Sequence, residues 1–166
     1  MKTQIYKNNK STSSSSNREL WNSNSSNFSN SCAIRLGVAL ASSGIDTRTF
    51  PGTAHCWHHK KTEGHTLRAE ELAKGLVERQ GFLAWLGKRQ EVWKPRETPQ
   101  KKPREVAQSL KGKKGIIFFK DYYGPGNSGD HIDLWNGSRL TEVGSHLRQG
   151  EDHYFEAREI WFWQVQ

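Results

Sequence analysis

The sequence predicts an α+β fold, in which helices come first along the chain and a sheet of antiparallel strands follows. Two observations carry this prediction. Apolar residues recur at helical spacing in residues 31–43 and 66–79. After residue 115 the apolar runs become short, β-branched and aromatic, and turn residues separate them, which is typical of strands. The 166 residues suit a single compact domain.

Three helices are predicted in the first two thirds of the chain. The first spans residues 31–43, and Gly44 fits the position that ends it. The second spans residues 66–79, with Thr66 as its N-cap and an apolar stripe along one face. A basic, exposed loop then leads to a short helix over residues 103–110, which begins at a proline.

Four strands are predicted after the helices. They are Ile116 to Tyr123, His131 to Trp135, Ser138 to Val143 and Arg158 to Val165. The Asn136-Gly137 pair between the second and the third is typical of a two-residue hairpin turn. Residues 81–93 are apolar enough to pack against the core.

Composition excludes several classes of protein. The 25 basic and 17 acidic side chains give a net charge of +8, and hydrophobic residues make up 33% of the chain. No apolar run approaches the roughly 18 residues of a membrane helix, so we expect no membrane insertion. Two cysteines are too few for a disulfide scaffold. The first residues lack the apolar core of a Sec signal peptide, so we expect any export to use another route.

The N-terminal segment differs in composition from the rest of the chain. Residues 1–31 contain ten Ser and seven Asn. Such a segment buries too little apolar surface to offset the entropy that ordering costs. We therefore predict a flexible tail over residues 1–27 and a single folded domain over residues 28–166.

Cys32 is the candidate nucleophile because it lies in the first turn of the first predicted helix. Unpaired N–H groups and the positive end of the helix dipole favour a thiolate, which is the form of cysteine that attacks carbonyl carbons. A buried cysteine is more often a small packing residue. The catalytic interpretation therefore needs a partner base.

His131 is the best placed of the seven histidines to be that base. It begins a predicted strand after a glycine-rich loop, and it follows Cys32 by 99 residues. This order of Cys and His at long separation is the one that papain-like enzymes use.

A carboxylate beside the imidazole would complete the group. A two-residue turn at Asn136-Gly137 would place Glu142 opposite His131, where it can hold the ring and support the imidazolium. Asp133 shares the face of the strand with His131, but it stands about 6 to 7 Å along it, which makes a direct hydrogen bond awkward. We therefore predict Cys32, His131 and Glu142 as catalytic residues, with Asp133 as the alternative third member.

Other clusters favour neither a metal nor a nucleotide. The loop GPGNSG lacks the Lys-Ser/Thr of a phosphate-binding loop and precedes a strand, so we expect no cofactor.

The basic residues between Lys88 and Lys114 leave a non-catalytic nucleic-acid-binding module as a distant alternative, but a solvated face explains them as well. One histidine-rich cluster matches no structural zinc spacing, so we expect no metal there: His55, Cys56, His58, His59 and His65.

Five segments together carry a resemblance to a known family. From about Asn30 to Val165 the chain resembles the fourth family of type VI secretion amidase effectors, which are bacterial toxins injected into neighbouring cells. The motifs Ser-Cys-Ala-Ile-Arg and His-Ile-Asp-Leu-Trp are specific in combination. The segments are NSCAIRLGVALASSGI, LRAEELAKGL, LKGKKGIIFFKDYYG, GDHIDLWNGSRLT and EIWFWQV.

The resemblance implies a papain-like, NlpC/P60-type fold, with an N-terminal catalytic helix packed on an antiparallel sheet and a single amidase domain over residues 28–166. It implies cleavage of peptidoglycan peptide stems between D-glutamate and meso-diaminopimelate, with Cys32 as nucleophile and His131 as general base. In relatives the third member is typically an aspartate on the strand after the histidine, and the matching position here holds Glu142. Two alternatives would use the same cysteine chemistry on another substrate. They are a general NlpC/P60 cell-wall hydrolase and a cysteine protease.

The resemblance also implies partners and a place of action. A cognate periplasmic immunity protein would inhibit the enzyme and protect the producing cell. The protein would be made in the cytoplasm, secreted by the type VI apparatus without a Sec signal, and active in the periplasm of the target cell. We expect no nucleic-acid partner.

Overall fold

A computed structural model of the chain describes residues 31–78, 90–93, 103–141 and 153–165. All of them belong to one compact unit, Ser31–Gln166. The predicted tail over residues 1–27 and most of the basic loop before residue 103 lie outside the described residues. None of the helices in the described ranges has the length and apolar character that crossing a bilayer requires.

Within the described residues, three α-helices lie where the sequence predicts helices. They are α1, Cys32–Ser42, α2, Ala69–Glu78, and α3, Pro103–Leu110. Gly44 follows α1 with a φ of 83°, the left-handed conformation that commonly ends a helix.

The start of α2 differs from the prediction. Thr66 does not cap this helix, which begins at Ala69. Instead, the hydroxyl of Thr66 donates a 2.6 Å hydrogen bond to the carbonyl of Ala33 in α1. The threonine is therefore used to attach the loop before α2 to the first helix.

Four strands form one antiparallel sheet in the described residues. The strands are β1, Gln90–Trp93, β2, Gly115–Tyr123, β3, Gly129–Trp135, and β4, Glu159–Gln164, and their order in the sheet is β1-β4-β2-β3. The positions of β2, β3 and β4 confirm the predicted strands. β1 lies in residues 81–93, which the sequence predicts to pack against the core and not to form a strand.

Helices cover both faces of this sheet. Ile116 and Phe118 of β2 pack in one apolar cluster with α1 and α2, while Ile117 and Phe119 pack in a second cluster with α3. Successive side chains of a strand point to opposite faces, so burial of both faces explains the uninterrupted apolar run of β2. Helix α1 contacts β3, which brings the start of the first helix to the histidine-bearing strand.

The turn after β3 is wider than predicted. Trp135 pairs with Leu140, and the N–H of Thr141 donates to the carbonyl of Leu134 at 2.9 Å. Four residues therefore occupy the turn, and the predicted two-residue turn is wrong. Residues 138–141 contribute an isolated bridge instead of a strand, and residues 142–143 lie outside the described residues.

The side chain of Asn136 explains the wider turn. Its Oδ1 accepts hydrogen bonds from the N–H groups of Ser138 and Arg139, each at 3.0 Å, as asparagine does in turns that it initiates. The register that would place Glu142 opposite His131 required the two-residue turn. That geometric argument for Glu142 therefore no longer holds.

Candidate active site

Cys32 is the first residue of α1 and is only 7% exposed. Burial of Leu36 and Leu40 in the cluster beneath the helix fixes the position of its first turn. N–H groups in the first turn of a helix have no acceptor within the helix, so the thiol lies where partial positive charge collects. This confirms the predicted location of Cys32 at the start of a helix.

His131 lies on β3 with 2% of its surface exposed. The backbone of His131 pairs with that of Phe119 in β2, and this pairing fixes the position of the Cα atom that carries the imidazole. The edge of the Tyr122 ring packs against the imidazole, with the two ring centroids 6.3 Å apart. The thiol of Cys32 lies within hydrogen-bonding reach of this ring.

Asp133 supplies a carboxylate beside the imidazole. Its Oδ2 lies 3.9 Å from Nε2 of His131, which is within the range of an ion pair but longer than a direct hydrogen bond. Its Oδ1 accepts 2.7 Å hydrogen bonds from the N–H of Leu134 and from the hydroxyl of Thr141. These two donors hold the carboxylate in place and leave Oδ2 directed to the histidine.

The electrostatics of the group favour a protonated imidazole. Burial by itself lowers the pKa of His131, but its interactions with the neighbouring Asp133 and Cys32 side chains outweigh burial and raise the pKa to about 9. A neutral histidine surrounded by these groups would be less stable than the imidazolium. The arrangement can therefore support a thiolate–imidazolium pair, the nucleophilic form of a cysteine–histidine site.

The structure thus brings together Cys32, His131 and Asp133, three of the four residues that the sequence singled out. Glu142 lies outside the described residues. The contribution of Thr141 to the placement of Asp133 was missed. Thr141 reaches Asp133 because the four-residue turn brings its backbone to Leu134, the residue that follows Asp133.

Solved structures with the same fold come from bacterial effector–immunity complexes. A Tae4–Tai4 complex from Salmonella typhimurium matches with a TM-score of 0.56 and 22% identity, over 82% of this chain and 74% of that chain. The Tae4–Tai4 complex from Enterobacter cloacae matches with a TM-score of 0.55 and 22% identity, over 82% and 75%. At this identity the likeness shows the fold alone, and it confirms the predicted papain-like α+β architecture.

Sequence comparison extends the likeness from fold to family. No curated protein matches the chain significantly. The model of the family described as "Type VI secretion system (T6SS), amidase effector protein 4" matches residues 28–163, which include Cys32, His131 and Asp133. Because this match covers most of the sequence, the chain belongs to the amidase effector protein 4 family of the type VI secretion system.

Proposed function

We propose that this amidase hydrolyses the bond between D-glutamate and meso-diaminopimelate in the peptide stems of peptidoglycan. The observation that carries the proposal is the buried group of Cys32, His131 and Asp133 at the N-terminus of α1. A thiol beside an imidazole and a carboxylate is suited to acyl transfer from an amide. The amidase family to which the chain belongs supplies the class of bond.

The reaction would proceed in two steps. Sγ of Cys32 attacks the γ-carbonyl carbon of D-glutamate, and the proton of the thiol is held by His131. His131 then donates this proton to the nitrogen of diaminopimelate, the C–N bond breaks, and a thioester remains on Cys32. A water molecule loses its proton to His131 and attacks the thioester, which releases a D-glutamyl carboxylate and restores the thiol.

The start of α1 would also stabilise the transition state. The carbonyl oxygen gains negative charge as the thiolate attacks, and the backbone N–H of Cys32 lies at the positive end of the helix dipole. One helix thus positions the nucleophile and supplies a donor for the oxyanion.

Asp133 is our choice for the carboxylate that orients His131. Its Oδ2 lies 3.9 Å from Nε2, and its other oxygen is fixed by two donors. With Nε2 facing the carboxylate, Nδ1 is the nitrogen left to exchange a proton with Cys32. Glu142, which the family resemblance places at the third catalytic position, is the alternative.

The partners follow from the same proposal. Structures of relatives are effector–immunity complexes, so a periplasmic immunity protein would bind and inhibit this chain as well. Delivery by the type VI apparatus would carry the protein from the cytoplasm of the producer to the periplasm of the target cell. The net charge of +8 would favour its approach to the anionic wall.

Digestion of purified peptidoglycan tests the proposed bond. We expect mass spectrometry to find fragments that end in D-glutamate and matching fragments with a new amino group on diaminopimelate. Cleavage at another peptide bond of the stem would favour a general NlpC/P60 cell-wall hydrolase. Cleavage of unfolded casein, with intact peptidoglycan, would favour a protease and contradict the proposal.

Toxicity should depend on the compartment in which the protein is produced. A Gram-negative host should tolerate the chain in its cytoplasm, where peptidoglycan is absent, and should lyse when the same chain carries a Sec signal. Optical density after induction measures both outcomes, with immunoblots to match expression. Equal toxicity in the two compartments would indicate a cytosolic target such as nucleic acid.

A further inference from the structure

A second group of ligand-bearing side chains lies on the loop between α1 and α2. His59, Glu63 and His65 each offer one ligand atom, and these atoms lie within 4.8 Å of one another. The short 3-10 helix Lys61–Glu63 and the left-handed Gly64, with a φ of 76°, reverse the chain between the two histidines. The reversal stacks their rings with centroids 4.0 Å apart.

We propose that His59, Glu63 and His65 bind a divalent transition-metal cation of the Zn²⁺ class. Two imidazoles and one carboxylate are a donor set that zinc accepts, with one position left for water. Ligands about 2.0 to 2.2 Å from a tetrahedral ion lie about 3.3 to 3.6 Å from one another. Nε2 of His65 and Oε2 of Glu63 are already 4.0 Å apart, so small side-chain rotations would complete the geometry.

Cys56 supports one ligand of this set. Its thiol is buried and lies 3.3 Å from Nδ1 of His59. With Nδ1 occupied by the thiol, Nε2 is the nitrogen available to the ion. The thiol fixes the orientation of the ring, as the hydrogen-bond partners of metal-bound histidines do. The N–H of Cys56 also donates to the carbonyl of His65 at 2.8 Å, which joins the two ends of the loop.

The metal would serve the active site by bracing this loop against α1. Thr66, next to His65, donates to the carbonyl of Ala33, the residue that follows the nucleophile. Gly64 and Gly37 of α1 touch through their backbones, so a Cβ on either would collide with the carbonyl of the other. Because the loop holds the helix that carries Cys32, an ion that stiffens the loop would stabilise the position of the nucleophile.

The linear spacing of these residues does not predict the site, because it lacks the paired ligands of structural zinc motifs. The chain reversal at Gly64 is what brings the side chains together. Glu63 is exposed and the side chain of His65 is 18% exposed, so an ion has a path to the site from solvent.

Zinc titration of the full-length protein tests the proposal. The thiol and imidazole of the active site could bind zinc themselves, so the titration is made by calorimetry in a Cys32→Ala background after treatment with a chelator. His65→Ala and Glu63→Gln each remove one proposed ligand. His58→Ala is the matched control, because His58 is an exposed histidine on the same loop outside the proposed ligand set.

We expect one equivalent of Zn²⁺ to bind in the Cys32→Ala background and with His58→Ala, and to raise Tm in both. His65→Ala and Glu63→Gln should each weaken binding by about 10-fold to 100-fold or more and reduce the shift in Tm. Glu63→Gln alters an exposed side chain, so it remains informative if His65→Ala fails to fold. Unchanged zinc affinity in Glu63→Gln, or no stoichiometric binding in the Cys32→Ala background, would overturn the proposal.

Discussion

Replacement of Cys32 by alanine is expected to lower the rate of peptidoglycan cleavage by at least about 1,000-fold. The substitution removes the atom that forms the thioester, and the remaining groups can only position water. Alanine favours helices and is smaller than cysteine, so α1 should still form. Fragment release measured by mass spectrometry gives the rate, and circular dichroism checks the fold.

A second alanine in the same helix provides the control. Ser42 is an exposed residue at the last position of α1, at the opposite end from Cys32. Ser42→Ala should retain activity within about twofold, because surface changes usually alter stability by less than about 0.5 kcal/mol. Activity of Cys32→Ala within tenfold of the unmodified protein, with an unchanged spectrum, would contradict the cysteine mechanism.

Asp133→Asn should lower kcat by about 10-fold or more. The amide keeps the size of the side chain and retains an oxygen that accepts from Leu134 and Thr141. It loses the negative charge that stabilises the imidazolium of His131. Steady-state kinetics on purified muropeptides measure kcat, and the fold is again checked by circular dichroism.

Glu142→Gln is the matched variant, because it makes the same change from carboxylate to amide at the other candidate position. We expect it to retain most of the activity. A folded Asp133→Asn variant with normal kcat, together with an inactive Glu142→Gln variant, would show that Glu142 orients the histidine.

The pH dependence of activity distinguishes an electrostatic role of Asp133 from a purely structural one. Asp133 raises the pKa of His131, which is about 9 in the intact site against an ordinary value of 6.5. Asp133→Asn should therefore lower the pKa measured by NMR titration of the ring and move the alkaline limit of activity to lower pH. An unchanged titration curve would place Asp133 outside the electrostatics of the site.

The same raised pKa links protonation to stability. A pKa that is higher in the folded state stabilises the fold fully below about 6.5, and this contribution disappears as the pH rises through about 9. Above that range the stabilising charge interaction between His131 and Asp133 is lost.

The elements that carry the catalytic pair follow from local signals. The start of α1 at Cys32 follows from apolar periodicity and the glycine at its end, and β3 follows from a short β-branched and aromatic run. Both signals involve residues close together in the sequence, and packing in the core stabilises the helix and the strand that these signals predict. The third strand of the prediction depended instead on the type of turn, which the side chain of Asn136 alters by accepting from two backbone donors.

The sequence by itself therefore determined the α+β class, the helix that presents Cys32 and the strand that presents His131, because periodicity and end signals act over a few residues. Only the tertiary structure decided the contact between His131 and Asp133, the attachment of Thr66 to α1 and the convergence of His59, Glu63 and His65. These depend on register and on close backbone approach between distant segments. Such distances are set by packing across the whole domain, which no local pattern encodes.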